Sequence, residues 1–376
     1  MLLAWVLSPA WSQEGGAEPP PAGMAFSGSY RNTLVVAQTW VGAREGYTLD
    51  VNRLRLEWKG RVNPALGLEV QYDNEVLLGD FLRTAQHRLE SGLPSRTYWD
   101  LEGTYAEGGA YVASHRLRRA VFTFTRGDTD LRLGRQRIAW GTGRFWSPLD
   151  VLNPASPTAL EPEEREGVDA LLLEQKRSAV SRWSFVYAPV QDRPSHVLAQ
   201  WHGNARQVDY SVVAGRFAGG GLVGADLATE VAGAGVRAEW AVARPRGSGL
   251  HHRLMLGWDY AFANTLTLTA EFFYDGSGHR DPAAYDIAAL LAGARQTLAT
   301  RYLGLFAGYE ITPLLKWSNW VAINLDDRSA YFSPRLTYAV RENVDVVVGA
   351  QLRRGGSGTE FGTPGNLYFA WLQWYF

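Results

Sequence analysis

Every second residue is apolar in the stretch Gly365-Asn-Leu-Tyr-Phe-Ala-Trp-Leu-Gln-Trp-Tyr-Phe376, so that Tyr368, Ala370, Leu372, Trp374 and Phe376 share one face of an extended strand. Strand side chains alternate between faces, and a period of two is the mark of a sheet with two different environments. On a soluble sheet, so aromatic a final strand would leave an edge open to pairing with other chains. The expectation is a strand that closes a ring, its apolar row set against hydrocarbon.

The same alternation recurs along the chain. Leu54, Leu56 and Trp58 oppose Arg53, Arg55, Glu57 and Lys59, and Leu68, Val70 and Tyr72 oppose Glu69, Gln71, Asp73 and Glu75. If the apolar phase touches lipid, the charged phase must face a water-filled interior, because a basic side chain on the lipid side costs about 2–4 kcal/mol near the midplane. No apolar run is long enough for a transmembrane helix, so any crossing has to use strands. Fifteen Trp in 376 residues suit two interfacial girdles, and a net charge of −1 excludes a basic nucleic-acid surface. The absence of Cys removes disulfides, thiolate zinc sites and thiol nucleophiles.

Tight turns alternate with longer polar segments. Val62-Asn-Pro-Ala65, Gly127-Asp-Thr129, Gly233-Ala-Gly235 and Thr312-Pro-Leu314 are turns, whereas 79–113, 142–166 and 276–297 are long loops. Short turns inside and long loops outside define an all-β, antiparallel, up-and-down transmembrane barrel of about eighteen strands with both termini periplasmic. One such barrel accounts for residues 25–376. Residues 1–12 read as a signal peptide, incomplete because no Lys or Arg precedes its apolar segment, and 13–24 as a disordered leader. In the dense stretch 131–154 the alternation slips, with Leu131 and Leu133 in one phase and Ile138 and Trp140 in the other. A bulge near Gly134 within a strand 130–141 accommodates the slip. The Pro-rich loop 142–166 is too constrained for a plain connector, and the expectation is that it folds over or into the mouth.

No catalytic signature stands out. His251 and His252 diverge on a strand, and Asp281, Asp326 and Asp327 read as solvated loop acids, so neither metal nor cofactor is expected. The chemistry is left to the interior. The pore-lining candidates are Arg53, Arg55, Glu57, Lys59, Glu69, Asp73, Arg119, Arg132, Arg135, Arg237, Glu239, Arg335 and Arg353. Arg31, Arg253, Glu75, Asp226, Asp259, Glu271, Glu310 and Asp345 share the phase. These residues either pair across strands to keep the wall polar or form a constriction whose guanidinium groups attract carboxylates. Arg53, Arg55, Arg132 and Arg135 are the leading group for that ring.

Leu133-Gly-Arg-Gln136, followed by Trp140-Gly141 and an aromatic, Pro-rich loop, resembles the outer-membrane channels of the alginate-export type and related porins of exopolysaccharide secretion. Val223-Gly-Ala-Asp226 and Gly235-Val-Arg-Ala-Glu239 are weaker echoes. The resemblance implies a place in the bacterial outer membrane and passive export of a polysaccharide through an Arg-containing lumen. It also implies supply by periplasmic export machinery and insertion by barrel-assembly machinery that engages the C-terminal strand. The interior mixes both signs almost equally, which departs from a pore for a strongly acidic polymer. That balance favours, as the alternative, a diffusion porin for uptake of small hydrophilic solutes; neither reading involves nucleic acid.

Overall fold

Backbone amides in hydrocarbon have no water to bond, so a strand can cross a membrane only if both of its edges are paired. The computed structural model meets this condition by closing the sheet. It describes residues 23–93, 97–161, 164–165, 167–291 and 295–376, so the expected signal peptide and nearly all of the leader lie outside the described residues. The strands are β1 Gly23–Gln38, β2 Gly46–Asn63, β3 Leu66–Leu78, β4 Glu102–Gly108, β5 Tyr111–Arg126, β6 Thr129–Gln136, β7 Val168–Ser178, β8 Ser181–Ala188, β9 His196–Ala205 and β10 Val208–Phe217. They continue as β11 Gly220–Val231, β12 Ala234–Arg244, β13 His251–Ala261, β14 Thr267–Asp275, β15 Arg301–Thr312, β16 Leu315–Asn324, β17 Ser329–Arg341, β18 Val344–Arg354 and β19 Leu367–Tyr375. Eighteen of them pair antiparallel, neighbour to neighbour, and β19 returns to β1; β4 is extra and pairs only with β5. Both ends of the barrel chain lie on the side of the short turns.

Closure is made at the aromatic end of the chain. Register runs from Ser29 opposite Tyr375 to Ala37 opposite Leu367, and Gly28 exchanges both backbone hydrogen bonds with Phe376, at 2.8 and 3.0 Å. A Cβ at Gly28 would lie 2.5 Å from the Phe376 ring, so glycine is what allows that ring to lie across β1. The alternation separates two environments along each strand: Val212 is 47 % exposed on the lipid face, whereas its neighbour Val213 is fully buried inside. Exposed aromatic residues gather near the periplasmic end, where Trp374 lies 5.1 Å from Phe376 and Tyr260 lies 4.6 Å from Phe262.

The wall departs from the sequence reading in one sector. Strand β6 ends at Gln136 instead of continuing to Gly141, because the chain there leaves the wall and turns inward. Its pairing across Gly134 is regular, so no bulge lies there; the register slip is in the partner strand β5, where Arg118 is skipped between Arg119 opposite Gln71 and Leu117 opposite Tyr72. Strand β4, inside what reads as the long loop 79–113, takes up the edge of β5 that β6 vacates, pairing with Tyr111 to Arg116 while β6 pairs with Ala120 to Arg126. Gly23 and Met24 belong to β1, not to the leader.

The outward orientation of Val212 gives a direct test of the lipid face. Val212→Arg is expected to lower unfolding free energy in lipid vesicles by about 2–4 kcal/mol in urea titrations; a change under roughly 0.5 kcal/mol would place that side chain away from hydrocarbon.

Candidate functional site

The described residues between β6 and β7, 137–161, 164–165 and 167, run along the inside of the barrel and are held there by the wall. Ile138 packs with Ala170, Leu172, Val186 and Ala188, and its N–H donates to the Asn153 side-chain oxygen at 2.7 Å. Two inward positions of the wall lack a side chain, and the loop uses them as seats. A Cβ at Gly224 would meet the Leu149 side chain at 2.5 Å, and one at Gly304 would meet the Phe145 ring at 2.5 Å. Around these seats lie Leu198, Val213 and Leu222 on one side and Phe273, Tyr302 and Trp320 on the other.

Two wall carboxylates bind the loop backbone. Glu271 on β14 accepts from the successive N–H groups of Arg144, Phe145 and Trp146 at 2.8, 3.0 and 2.8 Å. Glu239 on β12 accepts from the Gly143 N–H at 2.5 Å, the Ser147 hydroxyl at 2.7 Å and the Thr142 N–H. Both carboxylates are almost completely buried. A buried carboxylate without donors is costly, and hydrogen bonds to a charged group contribute about 1.5–3 kcal/mol each, so loop and wall stabilise one another. Gly141, at φ +96°, makes the turn that presents these amides.

On the other side of the ring the wall is dense in arginine. Arg335 on β17, Arg31 on β1, Arg53 and Arg55 on β2, and Arg118 and Arg119 on β5 face the lumen beside the returning half of the loop. The register slip in β5 is what turns both Arg118 and Arg119 inward. Arg55 forms a bidentate pair with Asp73 at 2.7 and 2.8 Å and donates to Glu164 at 2.5 Å. Arg53 binds Glu161 at 3.0 Å, and Arg31 pairs with the same carboxylate. Loop carbonyls take up further donors: Leu160 accepts from Arg335 at 2.6 Å and Arg165 from Arg119 at 2.8 Å. Trp371, inward on β19, has the Arg31 and Arg335 guanidinium groups over its ring at 5.0 and 4.9 Å. Burial works against the charge of Glu164, but the Arg55 hydrogen bond, with Arg118 and Arg53 nearby, outweighs it and holds the carboxyl at about 2.

The remaining candidates are spread around the ring. Arg132 pairs with Glu174 at 3.2 Å, and Arg135 is buried against Asp169 at 2.9 Å with the Leu117 carbonyl at 3.1 Å. These two arginines lie on β6, three strands on from Arg53 and Arg55 and next to β5. Arg237 pairs with Asp259 at 2.8 Å and donates to the Thr142 carbonyl. Arg353 sits higher, donating to the Gly365 carbonyl at 3.0 Å. Glu57 accepts from Gln71 at 2.9 Å, and Lys59 faces Glu69 in register toward the periplasmic end. Sequence reasoning missed Arg118, Trp371 and the loop acids Glu161 and Glu164; the charge run Glu161-Pro-Glu-Glu-Arg-Glu166 was the available signal. A cavity of about 700 Å³ opens at the outer mouth beside Glu75, Asp100, His115 and Arg118, and one of about 630 Å³ opens toward the periplasm beside Asn204, Asp209, Arg237 and Asp259. Among the described residues no cluster of His, Asp and Glu could hold a metal ion.

A closed barrel of eighteen strands with an apolar belt and a charged, loop-lined interior is an outer-membrane barrel of Gram-negative bacteria. No family model matches the sequence, and no curated protein matches it. Solved structures do. OccAB1 of Acinetobacter baumannii is 9 % identical with a TM-score of 0.62, over 97 % of this chain and 99 % of that one. OccK9 (OpdG) of Pseudomonas aeruginosa is 14 % identical with a TM-score of 0.59, over 94 % and 98 %. The outer membrane protein opdK of Pseudomonas aeruginosa is 10 % identical with a TM-score of 0.60, over 94 % and 98 %, and OpdK has also been solved with vanillate. The fold is therefore that of the Occ barrels, and this finding corrects the likeness to alginate-export channels drawn from Leu133–Gln136.

Glu271→Ala removes the acceptor for three successive amides. Hydrogen exchange at residues 144–146 is expected to speed by about 10–100-fold with the barrel still folded; unchanged protection would remove Glu271 from the loop's support. The Glu164 carboxyl is depressed in the folded state, so its contribution is present above the ordinary carboxylate range and is lost as pH falls through about 2. Protection of the Glu164 amide, which donates to the Glu161 carbonyl at 3.0 Å, is expected to hold at pH 4 and to collapse toward pH 2, and collapse already at pH 5 would refute the Arg55 pairing.

Proposed function

We propose that this barrel is a diffusion channel for uptake of small hydrophilic solutes, and that it favours solutes carrying a carboxylate. The observation that carries the reading is the group Arg31, Arg53, Arg55, Arg118 and Arg119 on β1, β2 and β5 of the lumen wall, with β3 between the last two. A guanidinium presents a planar, bidentate face to a carboxylate and keeps its charge at any physiological pH. Glu161 and Glu164 of the inner loop pair with this wall, which supports a preference for carboxylates. A passing carboxylate exchanges contacts with the same arginines. Binding of this kind has to be weak and divided over several sites for a solute to move on.

The opposite arc supports the assignment. By strand order β12 stands half a turn from β2, and Asp226, Glu239 and Glu271 lie on β11, β12 and β14. Glu239 and Glu271 are buried and taken up by the loop donors, so among the described residues this arc adds no exposed cation to the lumen to compete with the arginines of β1, β2 and β5 for a carboxylate. OpdK, of like fold, has been solved with vanillate, a small aromatic carboxylate. Export of a polymer is not the reading favoured here. The inner loop fills lumen that a chain of sugars would need, and the cavities of about 700 and 630 Å³ at the two ends are of small-molecule size.

In planar bilayers the purified barrel is expected to conduct without any partner and to prefer anions. In liposome-swelling assays benzoate is expected to enter faster than benzamide, and Arg53→Ala with Arg118→Ala to reduce that preference about tenfold, the loss of one charge-assisted contact. A silent channel, or a preference indifferent to both substitutions, would defeat the proposal.

A further inference from the structure

The outer surface of the barrel carries a second concentration of arginine, unrelated to the lumen. At the extracellular end of β8 to β12 one cross-strand row reads Tyr187, Val197, Arg216, Gly221, Arg244 in register. Tyr187 and Val197 are 48 % and 49 % exposed, which fixes the row on the lipid-facing side, and both arginines are exposed with them. Neither forms an ion pair among the described residues. The acids of the adjoining strands do not reach them. Asp226 and Glu239 are buried toward the lumen, and Glu230 lies beside the periplasmic turn.

The spacing is suited to a single anionic group. Strands stand about 4.8 Å apart, so Arg216 and Arg244 are separated by roughly 10 Å with β11 between them. At that middle position is Gly221, and a Cβ there would have no heavy atom within 4 Å, so the space between the two guanidinium groups is open. Arg246 follows on the loop after β12, tied by its N–H to the Ala218 carbonyl at 3.1 Å, and adds a third exposed cation to the same rim. Directly below, the outer face returns to apolar residues with Ala214, Val223 and Val242.

From this arrangement we infer that the β10–β12 rim is a docking site for the phosphate groups of an outer-leaflet glycolipid, the acyl chains lying on the apolar face beneath. The charge fits, since uncompensated guanidinium groups bind phosphate in bidentate fashion. The level fits as well, because exposed cations at the top of a lipid-facing strand stand where headgroups are. Two phosphates of one diglucosamine headgroup, or one phosphate from each of two lipids, can span the pair. A bound lipid of this kind would seal the barrel into its own leaflet without touching the pore.

The test uses the full-length barrel purified in detergent and native mass spectrometry. The probes are an acylated diglucosamine lipid bearing two phosphates and the same lipid with both phosphates removed. The phosphorylated lipid is expected to be retained at least tenfold more tightly, and Arg216→Gln with Arg244→Gln to abolish that difference. Arg216→Lys with Arg244→Lys is expected to keep most of it. Gly221→Leu, which fills the gap without altering charge, is expected to weaken phosphorylated-lipid binding while conductance stays at the parent value, and it decides the matter should the double Gln variant not fold. Equal retention of the two lipids by the parent barrel, or a phosphate preference that survives both the double Gln change and Gly221→Leu, would overturn the inference.

Discussion

The need to pair every backbone amide in a medium without water governs this molecule. It compels the sheet to close, and closure places one face of every strand against hydrocarbon and the other around an interior. The final strand shows how local chemistry serves the constraint. Phe376 and Gly28 exchange backbone hydrogen bonds at the seam, and the missing side chain at Gly28 leaves room for the aromatic ring that anchors that end in the interface. A substituent there would force ring and strand apart at the one place where the chain has to meet its own beginning.

A barrel of this size is too wide to be filled by its own wall residues, so the interior needs a separate solution. The chain supplies it by withdrawing β6 from the wall after Gln136 and laying the described residues that follow, up to β7, against the inside. The wall in turn changes character beneath the loop. On β9 to β12 the inward positions Leu198, Val213, Leu222 and Ala241 are apolar where Leu149 and Val151 cover them. On β1, β2 and β5 they are arginines where Glu161 and Glu164 approach. Loop and wall are therefore complementary along the circuit, apolar against apolar and acid against base, with Glu239 and Glu271 holding the turn at 142–147 that precedes both parts.

Much of this was legible in the sequence, and the rest was hidden for identifiable reasons. Period two located the barrel strands because lipid and water enforce it on every crossing. Consecutive apolar pairs such as Val212-Val213 and Leu222-Val223 carried a further message, that both faces of those strands are covered, and a reading that assigns a single apolar phase cannot use it. The slip between Leu133 and Ile138 was visible, yet a bulge and a departure from the wall leave the same trace; only the packing of Ile138 on β7 and β8 separates them. The partners of Glu239 and Glu271 had no signature at all, since backbone amides are the same in every sequence. The arginines of β6 show the limit of the phase argument. It carries Arg132, whereas Arg135, three residues on, was brought inward only by the expected bulge; the two find Glu174 and Asp169 on the neighbouring strand.

The same distinction explains why a short motif misled about kinship. Leu133-Gly-Arg-Gln136 sits where the chain bends out of the wall: Gly134 adopts φ +121°, the Arg135 side chain is consumed by Asp169, and the Gln136 amide donates to the Ala170 carbonyl at 3.0 Å. These three residues serve the end of the strand, and Leu133 faces lipid. In this barrel the motif therefore serves the end of β6 and the entry to the inner loop. The guanidinium groups of β1, β2 and β5, on which the proposed preference for carboxylates rests, belong to different strands and are brought together by the consecutive pairings β1–β2, β2–β3 and β3–β5.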